Sequence, residues 1–264
     1  MTLFDWPGYW LTMQIDYPSM PAQWVTPQDN LIGLTTTNEG LQGRDGTMAT
    51  SQAGLSNRER LCEALARVNT GRRATVQWVR QTHGVANVYA SAMSTNHTPV
   101  ADAVWTDQAG IALAVQTADC VPVLFAHRRG ELVAAAHAGW RGLIDGVIDA
   151  LISTLPAEPE ELQAWIGPCI SVNHFEVGRD VWGAVQDLCP EAVFEHPRDA
   201  AKRLVDLVLF TRRRLHNCGV VQIAAAGRCT YADPVFYSHR QTTVECGAQA
   251  TTGRMASVVM LKNG

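Results

Sequence analysis

Three side chains able to bind a metal stand at the ends of apolar runs: His83 in Gln81-Thr82-His83-Gly84, Cys120 in Thr117-Ala118-Asp119-Cys120, and His137 in His137-Ala138-Gly139-Trp140-Arg141-Gly142. The runs before them, Ala74 to Val79, Ile111 to Val115 and Leu132 to Ala136, read as buried strands. Each strand end therefore presents polar groups, where α/β proteins hold their chemistry. The ligands are separated by 37 and 17 residues, unlike the short spacing of a zinc finger, and a closed structural site would carry a fourth protein ligand. Two imidazoles and a thiolate suit zinc, or copper as the alternative, and three protein ligands leave a position for substrate. Such an ion would polarise a substrate oxygen or nitrogen.

Neighbouring residues extend the candidate site. Asp119 is expected either to orient a nearby histidine or take a proton, or else to cap backbone amides. Arg141, flanked by Gly139 and Gly142 at the start of a helical pattern, reads as an anion-binding residue suited to phosphate. His239 and Arg240, in Tyr237-Ser238-His239-Arg240, fall in a polar loop expected to fold over the site. His97, His127, His174, His196 and His216 have no partner motif and read as structural or exposed.

The elements that must position these groups follow from periodicity. Further strands are expected at Leu31 to Thr36, Ala86 to Ala90, Val121 to Ala126, Leu162 to Ile166, Val220 to Ala225 and Met255 to Leu261. Short turns suggest that the strands around Cys120 and His137 are antiparallel neighbours. Ser56 with Glu59 forms a capping box for a helix carrying Leu61, Leu65 and Val68 and ending near Gly71. Leu143 to Leu155 carries one helical stripe stopped by Pro156, and helices are also expected over Arg179 to Leu188 and Ala200 to Leu215. Residues 1–30 read as an irregular arm and 38–52 as a polar loop. With no repeat or linker, residues 1–264 are expected to form a single domain of mixed α/β content.

Composition narrows the partners. A formal net charge of −4 gives no electrostatic case for nucleic acid or anionic lipid, and no apolar run is long enough to span a bilayer. Seven cysteines without a CxxC pair read as reduced thiols, and Met1 to Met13 lack a basic segment and a cleavage site. The expectation is a cytoplasmic monomer or homodimer acting on small molecules, with no nucleic-acid or membrane partner.

Longer matches then add a resemblance. QTHG at 81–84, ADAVWT at 101–106, TADCVPVLF at 117–125, AAAHAGWRG at 134–142, IGPCI at 166–170, FEVG at 175–178, CTY at 229–231 and TTGRMAS at 251–257 resemble the laccase-domain family. This is also called the YfiH-type or multicopper polyphenol oxidase family, and the resemblance covers roughly residues 72–262. It implies an α/β/β/α layered domain with mixed sheets and a zinc held by His83, Cys120 and His137. It also implies phosphorolysis of purine nucleosides (adenosine, inosine, guanosine, methylthioadenosine), with added adenosine deaminase activity and Arg141 helping to hold phosphate.

The chain departs from the family pattern in two places. Thr37 to Gly40 and Met48 to Gly54 lack the usual Arg-x-Gly-Gly and Asn-Leu-Gly stretches, and Ser238-His239-Arg240-Gln241 replaces Ser-Tyr-Arg-Arg. Competing readings are a copper polyphenol oxidase, a hydrolase with Cys120 as nucleophile and His137 as base, an amide hydrolase in peptidoglycan precursor editing, and a binding module without turnover.

Overall fold

The structure is a computed structural model that describes residues 17, 19–26, 28–38, 51–93 and 97–264. Two mixed sheets lie face to face. One has the order β1 (Ser19–Pro21), β2 (Leu31–Thr36), β14 (Met255–Leu261), β6 (Ile111–Thr117), β3 (Thr75–Trp78). The other has the order β13 (Gln222–Ala225), β9 (Leu162–Ile166), β7 (Val121–His127), β8 (Val133–Ala138), β5 (Ala103–Thr106), β4 (Asn87–Tyr89). The pairs β3/β6, β4/β5 and β9/β13 are parallel and the remaining pairs antiparallel. A small antiparallel sheet orders β10 (Glu176–Val177), β12 (Arg203–Val205) and β11 (Val193–Glu195).

The side-chain period of a strand explains why the sequence shows unbroken apolar runs. In β6, Ile111, Leu113 and Val115 join the cluster between the sheets, while Ala112 and Ala114 meet Leu61 and Leu65 of α1 (Gln52–Val68). In β7 and β8, Leu124, Val133 and Ala135 face the same interlayer. Val123, Phe125, Ala134 and Ala136 face outward to Leu143 of α2 (Trp140–Asp145), Ile148 and Leu151 of α3 (Val147–Ile152), Val185 of α4 (Arg179–Leu188) and Phe210 of α5 (Leu207–Asn217). The layers are thus helix, sheet, sheet, helices, the α/β/β/α arrangement implied by the resemblance.

Several local expectations change. Helix α1 begins earlier than Ser56: the Ser51 hydroxyl accepts from Gly54 N at 3.0 Å, and Ser56 lies inside the helix. The arm contains β1, whose residues pair with β2. The rest of the arm at 1–16, 18 and 27, the loop at 39–50 and Asn96 lie outside the described residues, and with that loop go Met48 to Thr50 of the departing Met48 to Gly54 stretch.

The stripe from Leu143 is two helices, broken at Gly146, whose φ of 91° is the left-handed conformation that ends α2 and starts α3. Replacing Gly146 with alanine is expected to cost about 1 kcal/mol, measured by denaturant unfolding, because a side chain is strained there and Arg214 Nη2 lies 3.1 Å from the new carbon. Ala200 to Leu215 is likewise not one helix. Its first half pairs into the small sheet as β12, and Asp206, accepting from Leu209 N at 2.9 Å, caps a helix that starts only at Leu207. Tyr237 to Arg240 is not all loop, since Ser238 caps α6 (His239–Cys246). Finally, β6 and β7 do not pair with each other. They belong to different sheets, so the turn at Ala118 to Cys120 crosses the interlayer.

Candidate metal centre

That crossing turn, the loop after β3 and the end of β8 meet at one edge of the interlayer. Asp119 takes a φ of 89° and His83 a φ of 60°, conformations that cost side-chain-bearing residues energy and persist where surrounding contacts enforce them. For His83 the enforcing group is Asp102, immediately before β5 and fully buried. Its Oδ2 accepts from Thr82 N at 3.0 Å, Thr82 Oγ1 at 3.1 Å and Gly84 N at 2.8 Å, and its Oδ1 accepts from His83 N at 2.9 Å. Gln81 anchors the same loop to β6, its side chain giving and receiving a 2.7 Å bond with the backbone of Gln116.

Asp102 also holds His137. In strand parity His137 follows Val133 and Ala135 toward the interlayer, and its Nδ1 lies 2.8 Å from Asp102 Oδ1. Burial alone would raise the Asp102 pKa, but hydrogen bonds from His137 and from the Thr82 and Gly84 amides bring it down to about 2. A carboxylate only accepts, so Nδ1 of His137 is the donor, and Nε2 is the ring nitrogen on the Cys120 side, which an ion would take by displacing its proton. Sequence reasoning placed the histidine-orienting role on Asp119 as one of its alternatives. Asp102 fills that role here, and its signal was its place in the ADAVWT match.

The donor atoms of His83, Cys120 and His137 all lie within 4.8 Å of one another, with Cys120 Sγ 3.8 Å from His83 Nε2. Donors about 2.0–2.3 Å from one ion at a tetrahedral angle stand about 3.5 Å apart, so the trio needs little adjustment to close on an ion. The rings of His83 and His137 meet edge to face at 4.7 Å. His83 is exposed, Cys120 half-buried and His137 buried, so the trio opens to solvent on the His83 side. Burial disfavours the Cys120 thiolate, yet the charge of His137 and hydrogen bonds from both imidazoles draw its pKa down, the direction a ligand thiolate needs.

Gly139 floors the centre. A Cβ there would lie 3.0 Å from His83 Cδ2, 3.2 Å from Cys120 Sγ and 3.7 Å from His137 Cε1, although the backbone (φ −65°, ψ 162°) suits any residue. Gly139→Ala is therefore expected to weaken metal binding about tenfold or more with little loss of fold stability, checked by chelator competition beside thermal melting.

The other expected residues surround this centre at different depths. Asp119 is buried, its Oδ1 accepting from Thr230 Oγ1 and its Oδ2 from Arg240 N, both at 2.6 Å, which is the amide-capping alternative. Through those bonds it ties the Cys120 turn to the start of α6. Arg240 Nη1 donates to His174 O at 3.2 Å, and the His174 ring stacks on Tyr231 at 4.5 Å. His239 is exposed at the start of α6. Arg141 is exposed, its guanidinium 4.2 Å from the centre of the Trp140 ring. His127, by contrast, is buried 3.5 Å from both Glu131 and Glu161, in keeping with a structural role.

A family model described as multi-copper polyphenol oxidoreductase laccase matches residues 35–262. The chain belongs to that family. Within it, the chain is 40% identical over 191 residues to "Purine nucleoside phosphorylase YfiH" of Escherichia coli, covering 70% of this chain and 73% of that one. It is 34% identical over 260 residues to "Purine nucleoside phosphorylase PA4543" of Pseudomonas aeruginosa, covering 96% and 99%. Among solved structures, Neisseria meningitidis protein NMB0706 superposes with a TM-score of 0.80 at 36% identity, over 93% of this chain and all of that one. Geobacillus stearothermophilus YlmD gives 0.75 at 26% identity, over 89% and 93%. Among the described residues no helix is long and apolar enough to cross a membrane.

Proposed function

We propose that this family member is a zinc-dependent purine nucleoside phosphorylase, cleaving adenosine, inosine, guanosine or methylthioadenosine with phosphate and carrying some adenosine deaminase activity. The observation that carries this reading is the convergence of His83, Cys120 and His137 on one open position, in a chain whose relatives are named for phosphorolysis. Two imidazoles, a thiolate and a floor where a Cβ would crowd all three side chains suit a tetrahedral zinc with one exchangeable position.

In phosphorolysis a phosphate oxygen bonds to ribose C1′ as the bond from C1′ to the base nitrogen breaks, and its electron pair leaves with the base, which gains a proton. A divalent ion at the trio would supply Lewis-acid charge that stabilises the departing electron density. Asp102 fixes the His137 imidazole and the backbone of His83 in place, so little reorganisation is needed when substrate arrives. Asp119 holds Thr230 and the start of α6 as one wall, and Arg141, exposed beside Trp140, supplies positive charge at the mouth.

Copper oxidase chemistry fits less well. Coupling a blue-copper centre to a trinuclear cluster needs many histidines, but the chain has eight, and one three-residue cluster is present among the described residues. Elemental analysis of purified protein, together with base release from inosine and adenosine with and without phosphate, tests the proposal. One zinc per chain with phosphate-dependent release is the expected result. Copper with phenol oxidation would favour the oxidase, and metal-independent turnover abolished by thiol alkylation would favour a Cys120 hydrolase.

A further inference from the structure

The parallel strands β9 and β13 continue past their ends as a single bridge, and the two residues it sets side by side are Cys169 and Cys229. Cys169 N donates to Arg228 O at 3.4 Å and Thr230 N donates to Cys169 O at 3.0 Å, one bond on either side of Cys229. Directly opposed residues of neighbouring strands project from the same face, with backbones about 4.7–4.9 Å apart, inside the roughly 4.4–6.8 Å between Cα atoms that a disulfide spans. All seven cysteines are free thiols in this structure, and among the described residues no other two are strand partners.

The two sulfurs differ in access. Both residues line a cavity of about 190 Å³ together with Ser171, Asp206 and Arg228. Cys169 is 3% exposed and burial pushes its thiol up, whereas Cys229 is half-buried and its Sγ accepts from Ser171 N at 3.3 Å. An oxidant entering the cavity therefore meets Cys229 first. The bridge also lies directly behind the turn that carries Cys120. Ile170, next to Cys169, donates its N–H to Asp119 O at 3.0 Å, and Thr230, next to Cys229, donates its hydroxyl to Asp119 Oδ1 at 2.6 Å.

We propose that Cys169 and Cys229 are a thiol pair that hydrogen peroxide oxidises to a reversible disulfide, covalently bracing the Asp119 turn. The Cys229 sulfur attacks one peroxide oxygen, the O–O bond breaks, and hydroxide leaves with the Cys229 proton as water, so that sulfur is oxidised by two electrons to a sulfenic acid. Cys169 then attacks the oxidised sulfur. The S–S bond forms as the S–O bond breaks, and the released hydroxide takes up the Cys169 proton as a second water.

The test exposes the purified full chain to a small excess of hydrogen peroxide, blocks remaining thiols with iodoacetamide and maps the peptides by mass spectrometry, for wild type and Cys169→Ser. Wild type is expected to yield a peptide pair linked through Cys169 and Cys229 that dithiothreitol separates. Oxidised wild type should also melt about 5 °C or more above the reduced protein, because the bond closes a long loop, and Cys169→Ser treated alike should show no such rise. In Cys169→Ser, Cys229 should be captured as a sulfenic acid by dimedone. Oxidised wild type without the linked pair, or with Cys229 linked to a different cysteine, would overturn the pairing, and this result stands even where Cys169→Ser does not fold. A linked protein that melts no higher would overturn the bracing of the turn, and a Cys229 that dimedone leaves unmodified would overturn its role as the first sulfur attacked. None of these measurements depends on the phosphorolysis reading.

Discussion

Replacing Asp102 with alanine is expected to destabilise the fold by about 3–5 kcal/mol and to abolish tight metal binding. The size follows from what the carboxylate satisfies. It accepts five hydrogen bonds, from three consecutive amides, the Thr82 hydroxyl and the His137 ring, and all lose an acceptor that is itself fully buried. The left-handed conformation of His83 would then lose the contacts that enforce it.

Asp102→Asn separates the two effects. It keeps the shape and one good acceptor, so most of the fold stability should survive. Its amide cannot accept from all the donors that surround it, and it no longer fixes the His137 tautomer by charge. Metal affinity should fall about 10–100-fold. Chelator competition beside a thermal melt of the metal-free protein reads each quantity alone. Unchanged metal affinity in the asparagine variant would show that Asp102 serves the loop and not the ligands.

The second large effect is expected at the ligands themselves. His83→Ala, Cys120→Ala and His137→Ala should each lose bound metal and lower activity on the order of 10²–10³-fold or more, with double variants scarcely worse than singles because the donors act as one unit. Their stabilities should differ. His83 is exposed, so its removal should change stability by no more than about 0.5 kcal/mol, whereas removing His137 takes a buried donor from Asp102 and should cost about 1–3 kcal/mol. Circular dichroism with metal analysis on the three proteins checks the order. Activity that persists in a metal-free variant would reject a metal-dependent reaction.

These contrasts show where sequence alone was informative. His83, Cys120 and His137 were legible because apolar runs ending in metal-capable side chains need no knowledge of neighbours. Strand period then explains how they come together: the interlayer parity that buries Val133 and Ala135 also aims His137 at the gap between the sheets. Asp102 was not legible as a partner of both histidines. It lies 19 residues from one and 35 from the other, and only the Arg80 to Val100 bridge and the pairing of β5 with β8 bring it to them.

Boundaries failed where a local pattern was compatible with two outcomes. Ser56 with Glu59 satisfies the capping-box pattern, but the cap is Ser51, and the helix runs through the later pair. The stripe from Leu143 keeps its helical period across Gly146, yet the left-handed glycine turns the chain between α2 and α3.

By itself, then, the sequence determined the mixed α/β content, the three metal-capable side chains and the family motifs, since these depend on residue type and short-range period. Only the tertiary structure decided that β6 and β7 part into different sheets, that Asp119 is tied to Thr230 and Arg240, and that Gly139 borders the His83, Cys120 and His137 cluster. Those facts depend on which strands pair and stack, and that choice is made by burying apolar faces across the whole chain, a collective free energy that no local stretch encodes.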